Sequence, residues 1–250
     1  MVKKWFRACV MCFSMFCAIP SPFRVWDDEA RPLMTLFLPA VGAWIGILWT
    51  GLAYLTRLLG LPALIAGAIL CAYPFLVTGG MHFDGFLDVT DAVKSWRDLD
   101  ERRRILKDPN VGSFAVLAGI LLVTAQFALF SSVKEDANLF ALTLIPVVSR
   151  TIAGLYVTVL RPLGTSEYAG TYRQGVRRAH VVWFAVILVA AAALGFLLLG
   201  KAGFVTPAVL CGYLWMLRRG FKSLDGMSGD ISGYALTFGE LCGIAVFALI

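Results

Sequence analysis

Seven apolar stretches, parted in turn by short and long polar connectors, leave this 250-residue chain few folds to choose from. A helix needs roughly 20 mostly apolar residues to cross a bilayer, and such stretches run over 33–55, 61–78, 111–130, 138–160, 181–200, 202–217 and 236–250. The last is short, and is expected to tilt, to thin the bilayer or to span only in part. An earlier segment, 5–19, is apolar but shorter, and Pro20 and Pro22 close it. It reads as a helix lying in the interface or dipping into it, with a cleaved signal peptide as the second reading. Hydrophobic residues make up 59% of the chain and charged residues 15%, against about 45–50% and about 25% in soluble domains. A soluble globular fold, a disordered chain and a small disulfide scaffold are all excluded.

The basic residues test this layout, because Lys and Arg concentrate in cytoplasmic loops. With seven spans, the amino terminus and the loops 79–110, 161–180 and 218–235 share one side, and 18 of the 22 basic residues fall there. Arg57, Lys134 and Lys201 fall on the other side, and Arg150 lies within a span. The long loops are therefore expected in the cytoplasm. The net charge of +6 belongs to this topology, with anionic lipid as its partner, rather than to nucleic-acid binding. No repeat and no separate soluble domain interrupts the pattern, so residues 1–250 read as one all-α membrane domain, a polytopic bundle of about seven transmembrane helices with an amino-terminal interfacial or re-entrant helix.

The chemistry must then sit in the three loops and the helix ends that feed them. In 78–92, a helix running from Asp84 would place Asp88 about 40° round the wheel and Asp91 about 20° the other way, at about 100° per residue. Three carboxylates on one stripe repel one another unless a cation joins them. Mg²⁺ takes such oxygens while keeping waters and substrate phosphates in its remaining positions. A solvated helix face, or pairing with the arginines downstream, is the blander reading. His82 precedes the stripe on a different face; a lone histidine is more often a hydrogen-bonded structural residue than a ligand or base.

Next along the chain, Arg102, Arg103, Arg104 and Lys107 form a cationic cluster suited to phosphate oxygens and equally to anionic lipid. Asp108, before Pro109, suits either a helix cap or an ion ligand, and Gly112 lets backbone N–H groups approach an anion. The third loop carries Gly229, Asp230 and Gly233, a carboxylate set in backbone able to lie close to phosphate or metal. Arg150 and Glu240 lie inside apolar blocks, where charges face a cavity or a partner. Cys9-Val-Met-Cys12 has redox-motif spacing, but it lacks the second pair or the histidines of a zinc site and any adjacent βαβ pattern, so no redox or metal role is expected of it.

The run Gly79-Gly-Met-His-Phe-Asp-Gly-Phe-Leu-Asp-Val-Thr-Asp91, followed by Arg102 to Asp108 and Gly112-Ser-Phe114, closely resembles the adenosylcobinamide-GDP ribazoletransferase, or cobalamin synthase, family of prokaryotic inner membranes. The resemblance extends to Phe16-Cys-Ala-Ile-Pro20 at the start and to Gly226-Met-Ser-Gly-Asp-Ile-Ser-Gly233 with Glu240 near the end. The chain departs from the family pattern at Ala92, Ala115, Asp225 and Tyr234. The resemblance implies a reaction of the phosphotransferase class (EC 2.7.8): the 5′ hydroxyl of α-ribazole, or of its phosphate, attacks the cobinamide-linked phosphoryl group of adenosylcobinamide-GDP. GMP leaves, and adenosylcobalamin or its 5′-phosphate forms. The expected cofactor is Mg²⁺ on Asp84, Asp88 and Asp91, with Asp108 and Asp230 completing the site. Arg102, Arg103, Arg104, Lys107, Gly112, Gly229 and Gly233 are the expected substrate contacts. His82, or an aspartate in its place, is expected to deprotonate the attacking hydroxyl. The expected setting is the cytoplasmic face of the inner membrane, with room for a homo-oligomer or for other cobalamin-assembly enzymes as partners.

Two other readings stand beside it. A CDP-alcohol phosphotransferase-type lipid enzyme also clusters aspartates on a membrane helix, but with an arginine soon after the first Asp-Gly pair and longer later spacings than Asp84 to Asp88. An ion-coupled transporter predicts carboxylates at the midplane and a repeated half, whereas these sit at helix ends.

Overall fold

The structure is a computed structural model that describes residues 2–20, 23, 25–164 and 178–250. Its named elements are all helical: α1 Val2–Phe16, α2 Leu38–Leu58 with a 3₁₀ lead-in Arg31–Phe37, α3 Ala63–Val77, α4 Met81–Lys94, α5 Leu99–Ile105, α6 Ser113–Ser131, α7 Ala141–Val159, α8 Arg178–Leu199, α9 Val205–Leu224 and α10 Gly229–Leu249. Of the loop expected over 161–180, residues 165–177 lie outside the described residues, as do Pro22, Arg24, Arg173 and Arg177.

By length and composition, five described segments cross a membrane, or six if the bent pair α3–α4 counts as one. One of the five, Arg178–Leu224, is in fact a hairpin. Gly200 turns the chain at φ +56°, and a Cβ on Gly203 would lie 2.6 Å from the backbone of Gly195, eight residues earlier, which a continuous helix forbids. Counted separately, α2, α3, α6, α7, α8, α9 and α10 correspond to the seven expected spans, with α3, at 15 residues, the short one.

The expected boundaries need two corrections at the third loop. Helix α9 continues to Leu224 and α10 begins at Gly229, so only 225–228 of the expected loop 218–235 is non-helical. Asp225 ends α9 in the left-handed region at φ 58°, and the Ser228 side chain caps α10 by accepting from the Ile231 N–H at 3.2 Å. The last span is consequently 21 residues long, enough to cross without thinning the bilayer.

Helices α2, α7, α9 and α10 form the centre, around fully buried Trp49, Arg150 and Tyr213. Small residues let them approach: a Cβ on Gly42 would lie 2.3 Å from the Pro146 carbonyl oxygen of α7. The ends sort as the charges predict. At one end Ala18 N–H donates to Val77 O at 2.7 Å, and 161–163 pairs with Met227 through two backbone bonds of 2.9 and 2.7 Å. At the other, Arg57 binds the carbonyls of Lys134 and Ala137, and Lys134 binds that of Ile250. Helix α1 packs beside the 3₁₀ lead-in, burying Ala8, Met11 and Cys12 while Val2, Trp5 and Phe6 stay exposed, as suits an interfacial helix.

Candidate active site

A right-angle turn brings the acidic stripe to the basic end of the bundle. Helix α3 closes with the Gly80 N–H bonded to Phe75 O at 2.8 Å and the Gly79 N–H to Leu76 O at 3.2 Å. Both glycines take positive φ, +63° and +77°, which side chains with a Cβ resist. The chain then departs at 87°, so α4 runs crosswise to α3.

Helix α4 begins at Met81, three residues before the expected start, and carries Asp84 exposed and Asp88 and Asp91 half-buried. It crosses α10 backbone against backbone. A Cβ on Gly85 would stand 2.8 Å from Asp230 O, and one on Gly233 would stand 3.0 Å from His82 O. Asp230, in the first turn of α10, thereby joins the stripe from a second helix. Its carboxylate is 3.4 Å from the Ser228 hydroxyl. Asp91 lies against the amino-terminal cap of α6, where a Cβ on Gly112 would fall 1.9 Å from its carboxylate oxygen. A helix amino terminus favours such an anion. Gly112 and Gly233 thus make room for site elements, and Gly229 opens α10.

None of Asp84, Asp88, Asp91 and Asp230 forms an ion pair with a described residue. Asp88 shows the consequence. Partial burial, then the charges of Asp84, Asp230 and Asp91, push its carboxyl up to about 6 from an ordinary 3.8. Among the described residues, no three His, Cys, Asp or Glu side chains converge into a formed metal cage. Mg²⁺ does not need one, since it is typically held by one or two carboxylates together with waters and substrate phosphates. Hard oxygen donors in mutual repulsion, on two helices and without an ion-pair partner among the described residues, fit that ion.

The other expected residues fall around this centre. Arg102 donates to Ser223 O at 3.3 Å, and Arg103 to Leu224 O at 3.1 Å and Asp225 O at 3.3 Å, so both dock α5 on the carboxyl terminus of α9. Arg104 pairs with Glu101 at 2.6 and 2.9 Å, which holds the Glu101 carboxyl below its usual range. Lys107 is exposed with no ion-pair partner among the described residues, and remains the uncommitted cation of the cluster. Asp108 caps its own turn, accepting from the Asn110 N–H and side-chain amide at 2.9 and 2.8 Å, which lowers its carboxyl.

His82 points elsewhere. Its ring stacks on Phe16, and it lines a small cavity beneath α4 with Gln126, Arg150, Thr237 and Glu240. The structure thus turns the imidazole toward this cavity within the bundle. Arg150 and Glu240, singled out as intramembrane charges, pair directly, with Ser149 donating to the same Glu240 oxygen at 2.7 Å. Three residues were not singled out in the sequence. Ser228 had a signal, since a serine opening Ser-Gly-Asp before an apolar helix is a cap. Arg161, paired with Asp225, and Thr237, which donates to His82 O at 3.0 Å, had none.

Comparison with known proteins identifies the family. The sequence matches the family described as cobalamin-5-phosphate synthase over residues 8–248. It is similar to proteins named adenosylcobinamide-GDP ribazoletransferase from Clostridium perfringens strain 13, 33% identical over 252 aligned positions covering 100% of both chains, and from Chlorobium phaeobacteroides strain BS1, 36% identical over 244 positions covering 94% of each. The protein of that name from Geobacillus thermodenitrificans is 28% identical, covering 96% of this chain and 94% of its own. No solved structure matches the chain. With a match running nearly end to end, the chain belongs to the cobalamin-5-phosphate synthase family and is a transferase of cobalamin biosynthesis.

Proposed function

We propose that the protein joins adenosylcobinamide-GDP to α-ribazole, or to its 5′-phosphate, releasing GMP, with its site on the cytoplasmic face of the inner membrane. The observation that carries this reading is Asp88, held among Asp84, Asp91 and Asp230 on two crossing helices with no ion-pair partner among the described residues. Phosphoryl transfer asks an enzyme chiefly for positioning and for neutralisation of charge. Asp84, Asp88 and Asp91 would hold Mg²⁺, with Asp230 beside them. The ion supplies charge neutralisation for a diphosphate.

The chain's own groups do the rest. Lys107 meets phosphate oxygens, while Arg102 and Arg103 keep α5 seated at the rim. Gly85 and Gly233 hold α4 and α10 close enough for Asp230 to share the stripe. The proton of the attacking 5′ hydroxyl passes to a carboxylate of the stripe, because the His82 ring is turned toward the cavity within the bundle. Asp108 shapes the turn into α6, and so the approach of Gly112 to Asp91.

The test supplies purified, detergent-solubilised protein with adenosylcobinamide-GDP and α-ribazole or its phosphate, with and without Mg²⁺, and follows cobalamin and GMP by mass spectrometry. Metal-dependent product that a folded Asp88→Asn variant fails to make is the expected result. Absence of product from folded wild type with either acceptor would overturn the reading and favour lipid-alcohol phosphotransfer instead.

A further inference from the structure

Beneath the acidic helix lies a second polar feature that phosphoryl transfer does not use. Arg150, 1% exposed, is paired with Glu240, yet its Nε has no hydrogen-bond partner. His82 Nε2, also buried, has none either. Both residues line the same cavity of about 20 Å³, together with Glu240, Gln126 and Thr237. A buried polar atom left without a partner is costly, so two of them on residues that line one small space call for an occupant. One water fits, since it needs at least about 10–15 Å³ and two to four polar partners.

We infer that this cavity holds one ordered water joining His82 Nε2 to the Arg150–Glu240 pair, and that this anchor, not proton transfer by His82, sets where α4 presents its aspartates. The donors and acceptors balance. Arg150 Nε–H can only donate, so the water accepts from it. The water then gives one hydrogen to Nε2 of the neutral imidazole and the other to the Glu240 carboxylate. Two further contacts fix the same turn of α4: the His82 carbonyl accepts from Thr237 Oγ1 at 3.0 Å, and the ring stacks on Phe16 at 6.2 Å between centroids, 16° from parallel. His82 lies two residues before Asp84 and one turn and a half before Asp88, so its depth determines theirs. It is a positioning residue, tied to a charge pair in the middle of the bundle.

The test compares His82→Gln, whose side-chain amide reaches the Nε2 position, with His82→Ala. His82→Asn, whose amide reaches only the Nδ1 position, replaces the alanine variant if that fails to fold. Two readouts are taken: hydrogen exchange of the 81–94 backbone, and steady-state kinetics. His82→Gln is expected to keep wild-type protection and most of its kcat. His82→Ala is expected to exchange faster over 81–94 and to lose about 100-fold in kcat, the scale of an ångström's misplacement, with KM little changed. Combining His82→Ala with Glu240→Gln is expected to do no more harm than Glu240→Gln alone. A glutamine variant as inactive as alanine, with exchange at 81–94 unchanged in both, overturns the anchor and returns His82 to the chemistry. The kinetic readout rests on the transferase reading and the exchange readout does not. A wild type that makes no product therefore sinks that reading alone, while exchange still decides the anchor.

Discussion

Gly85 of α4 and Asp230 of α10 touch backbone to backbone: a Cβ on Gly85 would stand 2.8 Å from the Asp230 carbonyl oxygen and 2.9 Å from its Cα. Residues 145 positions apart in the chain are thus held at a distance that only glycine permits, and the contact delivers a fourth carboxylate to a stripe that α4 alone supplies with three. The acidic centre is a property of the crossing, not of either helix.

Gly85→Ala therefore acts on chemistry through packing. The atoms it meets are backbone and cannot swing aside, so about 1–3 kcal/mol of destabilisation is expected, with activity falling toward that of Asp230→Ala. Gly51→Ala is the control: it sits in α2 with nothing within 4 Å of its Cβ, and gains up to about 1 kcal/mol of helix propensity. Thermal melts and product formation for the two variants decide the matter; equal behaviour would show that the crossing tolerates a methyl group.

Asp88 gives the protein a pH dependence of defined sign. Its carboxyl, raised in the folded state from 3.8 to about 6, binds its proton more tightly folded than unfolded. Its contribution therefore favours the fold below about pH 4 and is lost as pH rises through 6. A divalent cation replaces the proton, so Mg²⁺ is expected to raise the melting temperature at pH 7.5 and to do little at pH 5. Asp88→Asn is expected to weaken both responses. Melts of wild type that ignore Mg²⁺ at pH 7.5 would count against a metal on this stripe.

Neighbouring arginines are expected to behave differently. Arg104 makes an exposed pair with Glu101 three residues away on the same helix, which solvent screens, and Arg104→Ala should leave the melting temperature unchanged. Arg103 donates to two carbonyls at the end of α9 and sits 3.7 Å from the Asp225 carboxylate, which Arg161 also pairs with. Arg103→Ala should free α5 and open 99–105 to protease while the spans stay protected. Equal protease sensitivity in the two variants would contradict this assignment.

The spans and the stripe were legible because each depends on near neighbours: apolar length sets a helix in a bilayer, and a spacing of three and four residues sets one face of it. The seven stretches correspond to helices, and Asp84, Asp88 and Asp91 do lie on one helix. What could not be read depends on partners far away in the chain. Nothing near Arg102 and Arg103 in the sequence signals the carbonyls of α9, some 121 residues on, to which they donate. His82 is placed by distant segments: its ring stacks on Phe16, its carbonyl accepts from Thr237, and it shares a cavity with Arg150. The extent of α10 was missed because glycines at 229 and 233 look like a loop, whereas a serine cap and a close helix crossing make them helical.

The Arg150–Glu240 pair offers the sharpest energetic contrast. Both side chains are buried and paired with each other. Removing one partner leaves the other uncompensated, a loss of about 3–5 kcal/mol, whereas replacing both with apolar residues of similar volume is often neutral or favourable. Arg150→Met alone should therefore fold poorly, and Arg150→Met with Glu240→Leu should recover much of the lost stability. The double variant is nevertheless expected to remain impaired in turnover, because the polar floor beneath His82 is gone. Detergent melts alongside turnover separate the two effects: stability and activity recovering together would make the pair purely structural, and stability without activity would tie it to the placement of α4.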